Sequence, residues 1–391
     1  MEVGEIRAAT SNDGLALLGT LPRYKASQAL SLGVGLRERG FPAETVAAVM
    51  TQARLRERAR TKFGEFADGM LFTPDGLEQS TRLTVAGLHA GRYLEAGIER
   101  VADLTSGIGA GAMAMSALGI TVMAFERDEA TALVAEYNLR HWPGTVVVHA
   151  DSLSVVREVD VDGVFVDPAR RTASGGRRHR PEDYEPPLGD VLALRDRFPA
   201  LGLKVGPGIP HTALPLDAES EWVSVDGQAV EAGLWCGPLA RHPGRGALLV
   251  ADGCSYRLSD TSATAGVGAV GDYLYEPDRA IIRAGLVTEV AMTVGGHLLD
   301  RTIAYVTGPR LVATPFASAY RILDDLPFGV KGLRSYLRER RIGRVTIKKR
   351  GTAVTPEGLR ADLRLKGDEE ATLVLTRVAG AQRVLVVEPT W

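Results

Sequence analysis

The stretch Asp103-Leu104-Thr105-Ser106-Gly107-Ile108-Gly109-Ala110-Gly111 carries the residue types of a loop that cradles a nucleotide cofactor. An aspartate closes the short apolar run Arg100-Val101-Ala102, and three alternating glycines lead into a helical run over residues 112–118. Glycine lets a backbone come close to a ligand, and a helix start points free N–H groups at it. Two cofactors compete for such a loop. A nicotinamide dinucleotide asks for G-x-G-x-x-G, with the helix start facing a pyrophosphate. S-adenosylmethionine has no phosphate, and its loop reads D-x-x-x-G-x-G-x-G, the pattern present here.

Three more acids follow, each after a short apolar run. Glu126 ends Thr121-Val122-Met123-Ala124-Phe125. A carboxylate there accepts hydrogen bonds from both ribose hydroxyls, which suits either cofactor. Asp151 follows Val146-Val147-Val148-His149. It can accept from an adenine amino group, as expected for S-adenosylmethionine and not for the dinucleotide, or it can simply cap a loop. Asp167-Pro168-Ala169-Arg170 follows Val164-Phe165-Val166. Proline holds the residue before it extended. Asp167 is thereby fixed at the carboxyl edge of a sheet, where open α/β sheets bind ligands. Upstream, Thr73 or Asp75 caps a helix expected to run on through Leu77, Val85 and Leu88. Gln79 and Thr81 on it either meet the methionine end of the cofactor or merely extend the helix start.

The elements that must position these residues are legible. Strands are expected at 100–103, 121–126, 146–149, 164–166 and 201–204, with helices between them. Asp226-Gly227 between two apolar runs signals a hairpin. Five βα units closed by a hairpin predict a Rossmann-like, seven-stranded α/β sheet with an antiparallel last strand. This ordered set of motifs resembles the class I S-adenosylmethionine-dependent methyltransferases over residues 76–245. The resemblance implies S-adenosylmethionine as cofactor, held by Gln79, Thr81, Asp103, Thr105, Gly107, Gly109, Gly111, Glu126 and Asp151. It implies catalytic roles for Asp167, Pro168 and Arg170. The Asp-Pro-Ala-Arg motif also looks like that of RNA uracil-C5 methyltransferases, which need a downstream cysteine nucleophile. None occurs between Lys204 and His211, and Cys236 falls in the expected last strand. The motif also departs from D-P-P-[YFW], because Ala169 and Arg170 offer no ring to stack a flipped base.

Directly after it, residues 170–180 hold five arginines and no acid, namely Arg170, Arg171, Arg177, Arg178 and Arg180. Charges so dense repel one another unless a polyanion neutralises them, and guanidinium suits phosphate. A loop that orders on RNA is expected; a solvated loop, or pairing with Asp183 and Glu185, is the alternative.

Residues 1–75 read as a helical region. A helix from Pro42 to Gly64 carries Arg54, Arg56, Arg58, Arg60 and Lys62, a solvated face or an RNA contact. Residues 246–310 read as a β-rich connecting segment with no assigned chemistry. Residues 311–391 read as two helices over a small sheet, an α+β domain. There, nine Lys/Arg stand between Lys331 and Arg350 against the single acid Glu339. Lys348, Lys349 and Arg350 are expected to position RNA through its phosphates, unless their acids lie elsewhere in the fold. Gly308-Pro309-Arg310 and Ile347-Lys348-Lys349-Arg350-Gly351 resemble the THUMP-like domain found carboxyl-terminal to class I methyltransferase domains in a bacterial family. That resemblance implies an RNA substrate, tRNA or rRNA.

Composition bounds the rest. The net charge of −2 gives no global attraction for nucleic acid, so basic surface must be local. Two cysteines rule out a disulfide framework and a cysteine-rich metal site, and no metal is expected. No apolar run is long enough to span a membrane, and a cytoplasmic location is expected. The expected function is methylation of RNA. A silent cofactor-binding RNA-associated factor and a methyltransferase for a non-RNA substrate are the alternatives, with a nicotinamide oxidoreductase an outsider.

Overall fold

The computed structural model describes residues 1–169 and 180–390. Two compact units divide the chain. One comprises Met1–Val205 with Trp235–Arg241, the other Gly206–Leu234 with His242–Trp391.

The first unit opens with four helices, α1 (Val3–Thr10), α2 (Asn12–Thr20), α3 (Ala29–Glu38) and α4 (Ala43–Phe63). Pro42 starts α4 and Gly64, at positive φ, ends it. Its basic face divides by helical period. Arg54 and Arg58 are exposed. Arg56 donates to the Met70 carbonyl at 2.8 Å, and Arg60 pairs with Asp68 at 2.5 Å. Residues four apart share a face, so one stripe of the cations braces protein rather than meeting solvent.

The single helix expected after Thr73 is two helices, α5 (Pro74–Gln79) and α6 (Leu83–Glu95). Thr73 caps α5 through Gly76 N–H, as expected. Ser80 and Arg82 are extended. No glycine or proline marks the break. Its cause is tertiary: Lys62 of α4 donates to the carbonyls of Leu77, Glu78 and Ser80, each at 2.7 Å. One ammonium thus satisfies carbonyls that a continuing helix would have used.

An alternating α/β run follows: β1 (Arg100–Asp103), α7 (Ala110–Ala117), β2 (Thr121–Glu126), α8 (Glu129–Leu139), β3 (Val146–His149), α9 (Ser152–Val155), β4 (Gly163–Val166), α10 (Leu188–Leu192) and β5 (Ala200–Val205). The strands are parallel, in the order β3-β2-β1-β4-β5. Asp103 and Glu126 therefore end neighbouring strands at one edge, with Asp151 and Asp167 just past the ends of β3 and β4.

In the second unit, β6 (Glu219–Val225) and β7 (Gln228–Trp235) join through Asp226 and Gly227, both at positive φ, the turn the sequence signals. β8 (Gly244–Ala251) runs parallel to β6, and β9 (Cys254–Ser259) is antiparallel to β8. Next come β10 (Tyr273–Pro277), α11 (Arg279–Ala284), α12 (Val287–Val294), β11 (His297–Asp300), β12 (Ile303–Gly308), β13 (Ala317–Pro327), α13 (Val330–Glu339), β14 (Ile342–Lys349), α14 (Pro356–Leu363), β15 (Glu369–Val378) and β16 (Ala381–Pro389). They form a seven-stranded sheet in the order β11-β12-β10-β13-β16-β15-β14. The α+β expectation holds: Leu333 and Leu337 of α13 and Leu359 and Leu363 of α14 pack with Leu373, Val384 and Val386. The segment before residue 310 supplies β10, β11 and β12 of this same sheet. Among the described residues no helix is long and apolar enough to cross a membrane.

One buried side chain ties the first unit's layers together. Asn138 of α8 accepts from Leu71 N–H at 2.8 Å and donates to the carbonyls of Leu71 at 3.0 Å and Ile108 at 2.8 Å. Asn138→Ala leaves all three groups unpaired in the interior. A loss of about 2–4 kcal/mol of stability is expected in denaturant unfolding, because each orphaned group costs about 1–3 kcal/mol.

Candidate active site

A cavity of about 950 Å³ opens in the first unit, over the carboxyl ends of β1, β2, β3 and β4. It brings together Gln79, Thr81, Asp103, Thr105, Gly107, Gly111, Glu126, Asp151 and Asp167. Gly109 and Pro168 stand behind this wall. Gly109, at φ +86°, begins α7, and a Cβ there would press on Leu139 at 3.1 Å. Pro168 is buried. Arg170, Arg171, Arg177 and Arg178 lie outside the described residues, and Arg180 is exposed.

The glycine loop is set by its neighbours. Glu126 accepts Gly107 N–H at 3.0 Å and Asp128 N–H at 2.8 Å, which fixes the carboxylate beneath the loop. Burial nevertheless raises its pKa. Asp103 is fully buried at the end of β1, and Thr105 N–H donates to it at 3.3 Å. Burial, with Asp167 and Glu126 nearby, pushes the Asp103 carboxyl up to about 7. A Cβ at position 111 would sit 3.3 Å from the Asp103 carboxylate, so glycine keeps this end of the cavity open. Asp151 caps α9 through Leu153 N–H at 3.2 Å, and it also lines the cavity.

At the far wall, Thr105 Oγ1 accepts Asp167 N–H at 2.5 Å. The carboxylate of Asp167 forms an ion pair with Lys204, a lysine of β5 that is 4% exposed. Lys204 also donates to Thr81 Oγ1 at 2.8 Å. Sequence reasoning took Lys204 only as a strand end; a lysine inside an apolar strand that lies within a sheet was the available signal, since it needs a partner. His89 was also missed. It lines the cavity from α6, packed on Phe165 and Trp235 with centroids 5.8 and 5.1 Å away. Ala169 and Glu185, both in the cavity lining, exchange backbone hydrogen bonds at 2.8 and 3.1 Å.

The lining decides the charge of the ligand. Its described residues include eight acids (Asp75, Glu78, Asp103, Glu126, Asp128, Asp151, Asp167 and Glu185) and one arginine, Arg127. Such a wall repels a pyrophosphate and attracts a cationic sulfonium and ammonium. Ser106 Oγ in the glycine loop is buried without a hydrogen-bond partner among the described residues, a polar atom left for a ligand. The dinucleotide alternative does not fit; S-adenosylmethionine does.

A relative from Mycobacterium tuberculosis, known as an uncharacterised S-adenosylmethionine-dependent methyltransferase in strains CDC 1551 and H37Rv, is 33% identical over 335 residues. The match covers 83% of this chain and 90% of the relative. The chain belongs to the S-adenosylmethionine-dependent methyltransferases. The methyltransferase cofactor is S-adenosylmethionine. Residues 317–389 of this methyltransferase match the family described as THUMP domain-like, and residues 2–59 match a domain of unknown function. A crystal structure of a candidate methyltransferase from Porphyromonas gingivalis W83 shares the fold, with a TM-score of 0.73 at 21% identity. That similarity covers 95% of this chain and all of the other.

In the second unit, Lys348, Lys349 and Arg350 line a separate cavity of about 760 Å³. Lys348 and Arg350 both pair with Glu276, at 2.6 and 3.4 Å. Further along, Arg341 pairs with Asp368 at 2.5 Å and Arg344 with Glu370 at 2.6 Å. Much of the basic run therefore has its acids elsewhere in this unit's fold. Among the described residues no group of three or more His, Cys, Asp or Glu is arranged to hold a metal ion.

The cavity's shape depends on α5 lying against the glycine loop. A Cβ on Gly76 would fall 2.4 Å from Ile108 Cγ2. Gly76→Ala is expected to force the two apart. A stability loss of about 1–3 kcal/mol is expected in thermal unfolding, together with weaker S-adenosylhomocysteine binding by calorimetry.

Proposed function

We propose that this protein methylates RNA, with the cofactor in the acid-lined cavity and the acceptor at Asp167. The observation that carries the reading is the ordered wall of the cavity: Asp103, Glu126 and Asp151 in sequence along one side, Asp167 on the other. In this reading Glu126 holds the ribose, Asp151 the adenine amine, and Asp103 with Thr105 and Gly107 the methionine end. Gln79 and Thr81 close that end from above. When bound, the cofactor supplies an electrophilic methyl group on a sulfonium. The protein's part is to orient it in line with the acceptor and exclude water.

RNA as substrate is supported by the arginine run and by the THUMP-like match. The run follows Ala169 in sequence, and Ala169 and Glu185 line the cavity and exchange backbone hydrogen bonds. Phosphates gathered there would lie beside Asp167. The carboxyl-terminal cations contribute less free charge, because Glu276, Asp368 and Glu370 already partner four of them. Lys349 differs from its two neighbours: it is exposed and donates to the Val354 carbonyl at 3.0 Å.

The direct test is transfer of labelled methyl to total RNA from a strain lacking the gene, with wild type and Asp167→Ala side by side. Label with wild type alone supports the reading; label with neither sinks it. Salt supplies a second check. Replacing Arg177, Arg178 and Arg180 by alanine is expected to weaken RNA binding. The slope of log affinity against log salt should flatten by about 0.9 for each phosphate that is no longer neutralised.

Asp103 gives a pH prediction. Its carboxyl, held at about 7, is protonated below that pH in the free protein. An ammonium ligand needs the carboxylate, so binding must expel the proton. Affinity for S-adenosylhomocysteine is expected to fall about tenfold from pH 8 to pH 6, one pKa unit being one factor of ten. In Asp103→Asn the affinity should be lower and flat with pH. Equal pH dependence in both proteins would remove Asp103 from this role.

A further inference from the structure

Lys204 is buried, and a buried ammonium persists only with partners. Among the described residues it has two, the Asp167 carboxylate and Thr81 Oγ1. Both partners line the cavity, while Lys204 stands behind them. Asp167 is consequently held at its backbone by Thr105 and at its side chain by Lys204. Lys62 adds a second cation whose field reaches Lys204 and Asp167. The facing charge is that of Asp103.

Resting on the RNA methyltransferase reading above, we infer that Asp167 and Lys204 form a seat for an oxygen acceptor. On RNA that acceptor is the ribose 2′-hydroxyl. A nitrogen acceptor gains positive charge as it takes the methyl group, and an ammonium hydrogen-bonded into the seat opposes this. A hydroxyl gains negative character as its proton leaves, and the same ammonium favours it. A flipped base is stacked on a flat side chain next to the catalytic carboxylate, and Pro168 and Ala169 after Asp167 supply none; the His89 and Phe165 rings in the lining are instead packed on each other and on Trp235. A pyrimidine carbon needs a thiolate; Cys236 is buried outside the cavity lining, and Cys254 belongs to the second unit.

The step balances. The hydroxyl oxygen bonds to the methyl carbon as the carbon–sulfur bond breaks, its electron pair going to sulfur. The sulfonium becomes the neutral thioether of S-adenosylhomocysteine. The hydroxyl proton passes to the Asp167 carboxylate and then to water. Lys204 gives up no proton; it is a positioning residue that aims Asp167 at the acceptor.

The test uses the full-length protein, methyl-labelled cofactor and total RNA from a strain lacking the gene, followed by alkaline hydrolysis. A 2′-O-methyl group blocks cleavage at its own phosphate, so label is expected in alkali-stable dinucleotides. Label in mononucleotides overturns the inference and leaves the RNA methyltransferase reading standing. No label in any RNA overturns both. For Lys204→Met, kcat is expected to fall about 100-fold, the scale of one positioned proton acceptor. S-adenosylhomocysteine affinity by calorimetry should stay within about threefold of wild type, because the cofactor's own contacts remain. Lys204→Arg, which restores a cation, should recover part of the rate. An unchanged kcat in Lys204→Met overturns the role of Lys204. Should that variant not fold, Lys204→Gln, which keeps a hydrogen-bond donor facing Asp167 and Thr81 but removes the charge, carries the same comparison.

Discussion

The irregular segment between α4 and α6 is the constraint on which the site depends. Residues 70–82 run beside a cavity without a continuous helix to absorb their backbone groups, and buried polar groups must be paired. Side chains from α4 and α8 take up the task. Gln52 exchanges two hydrogen bonds with Phe72, at 2.8 and 3.0 Å. Arg56 holds Met70, Asn138 holds Leu71, and Lys62 gathers three carbonyls around the end of α5. The amino-terminal helices are thus part of the site's scaffold. They fix the place of Gln79 and Thr81 relative to the glycine loop, which Asn138 also holds through Ile108.

That scaffold sustains an electrostatic arrangement that would otherwise be unstable. Eight acids around one cavity repel one another, and burial adds to the cost of their charge. Relief comes locally. Backbone N–H groups of Gly107, Asp128, Thr105 and Leu153 point at Glu126, Asp103 and Asp151. Asp103 is the deepest buried of these three, and burial draws its carboxyl up to about 7 despite the Thr105 N–H. Asp167, by contrast, is met by a buried lysine. The cavity is therefore polarised: Glu126, Asp103 and Asp151 answered by backbone dipoles, and Asp167 answered by a full cation.

Much of this was legible in the sequence because it is local. Asp103 and Glu126 are the last residues of apolar runs, so strand periodicity alone carries them to one edge once the strands are parallel. Asp226-Gly227 names its own turn. What stayed hidden depends on distant partners. The break between α5 and α6 has no breaker residue; it is written in Lys62, which is 15 to 18 positions earlier than the carbonyls it binds. Lys204 looks like a strand terminus until Thr81, 123 residues away, and Asp167 are brought to it. The basic run before Arg350 reads as free charge, because the pairing of β14 with β15 is what sets Arg344 against Glu370.

The fate of that run bears on how a near-neutral protein would hold a polyanion. Cations paired with carboxylates at 2.5 to 3.4 Å give up little field to a distant phosphate. Arg56, Arg60 and Lys62 of α4 are likewise committed inward. Residues 170–180 carry five arginines and no acid in the sequence. In the RNA reading proposed above, a phosphate drawn to that run would be held on the chain next to Asp167, so recruitment and positioning would rest on one stretch of sequence.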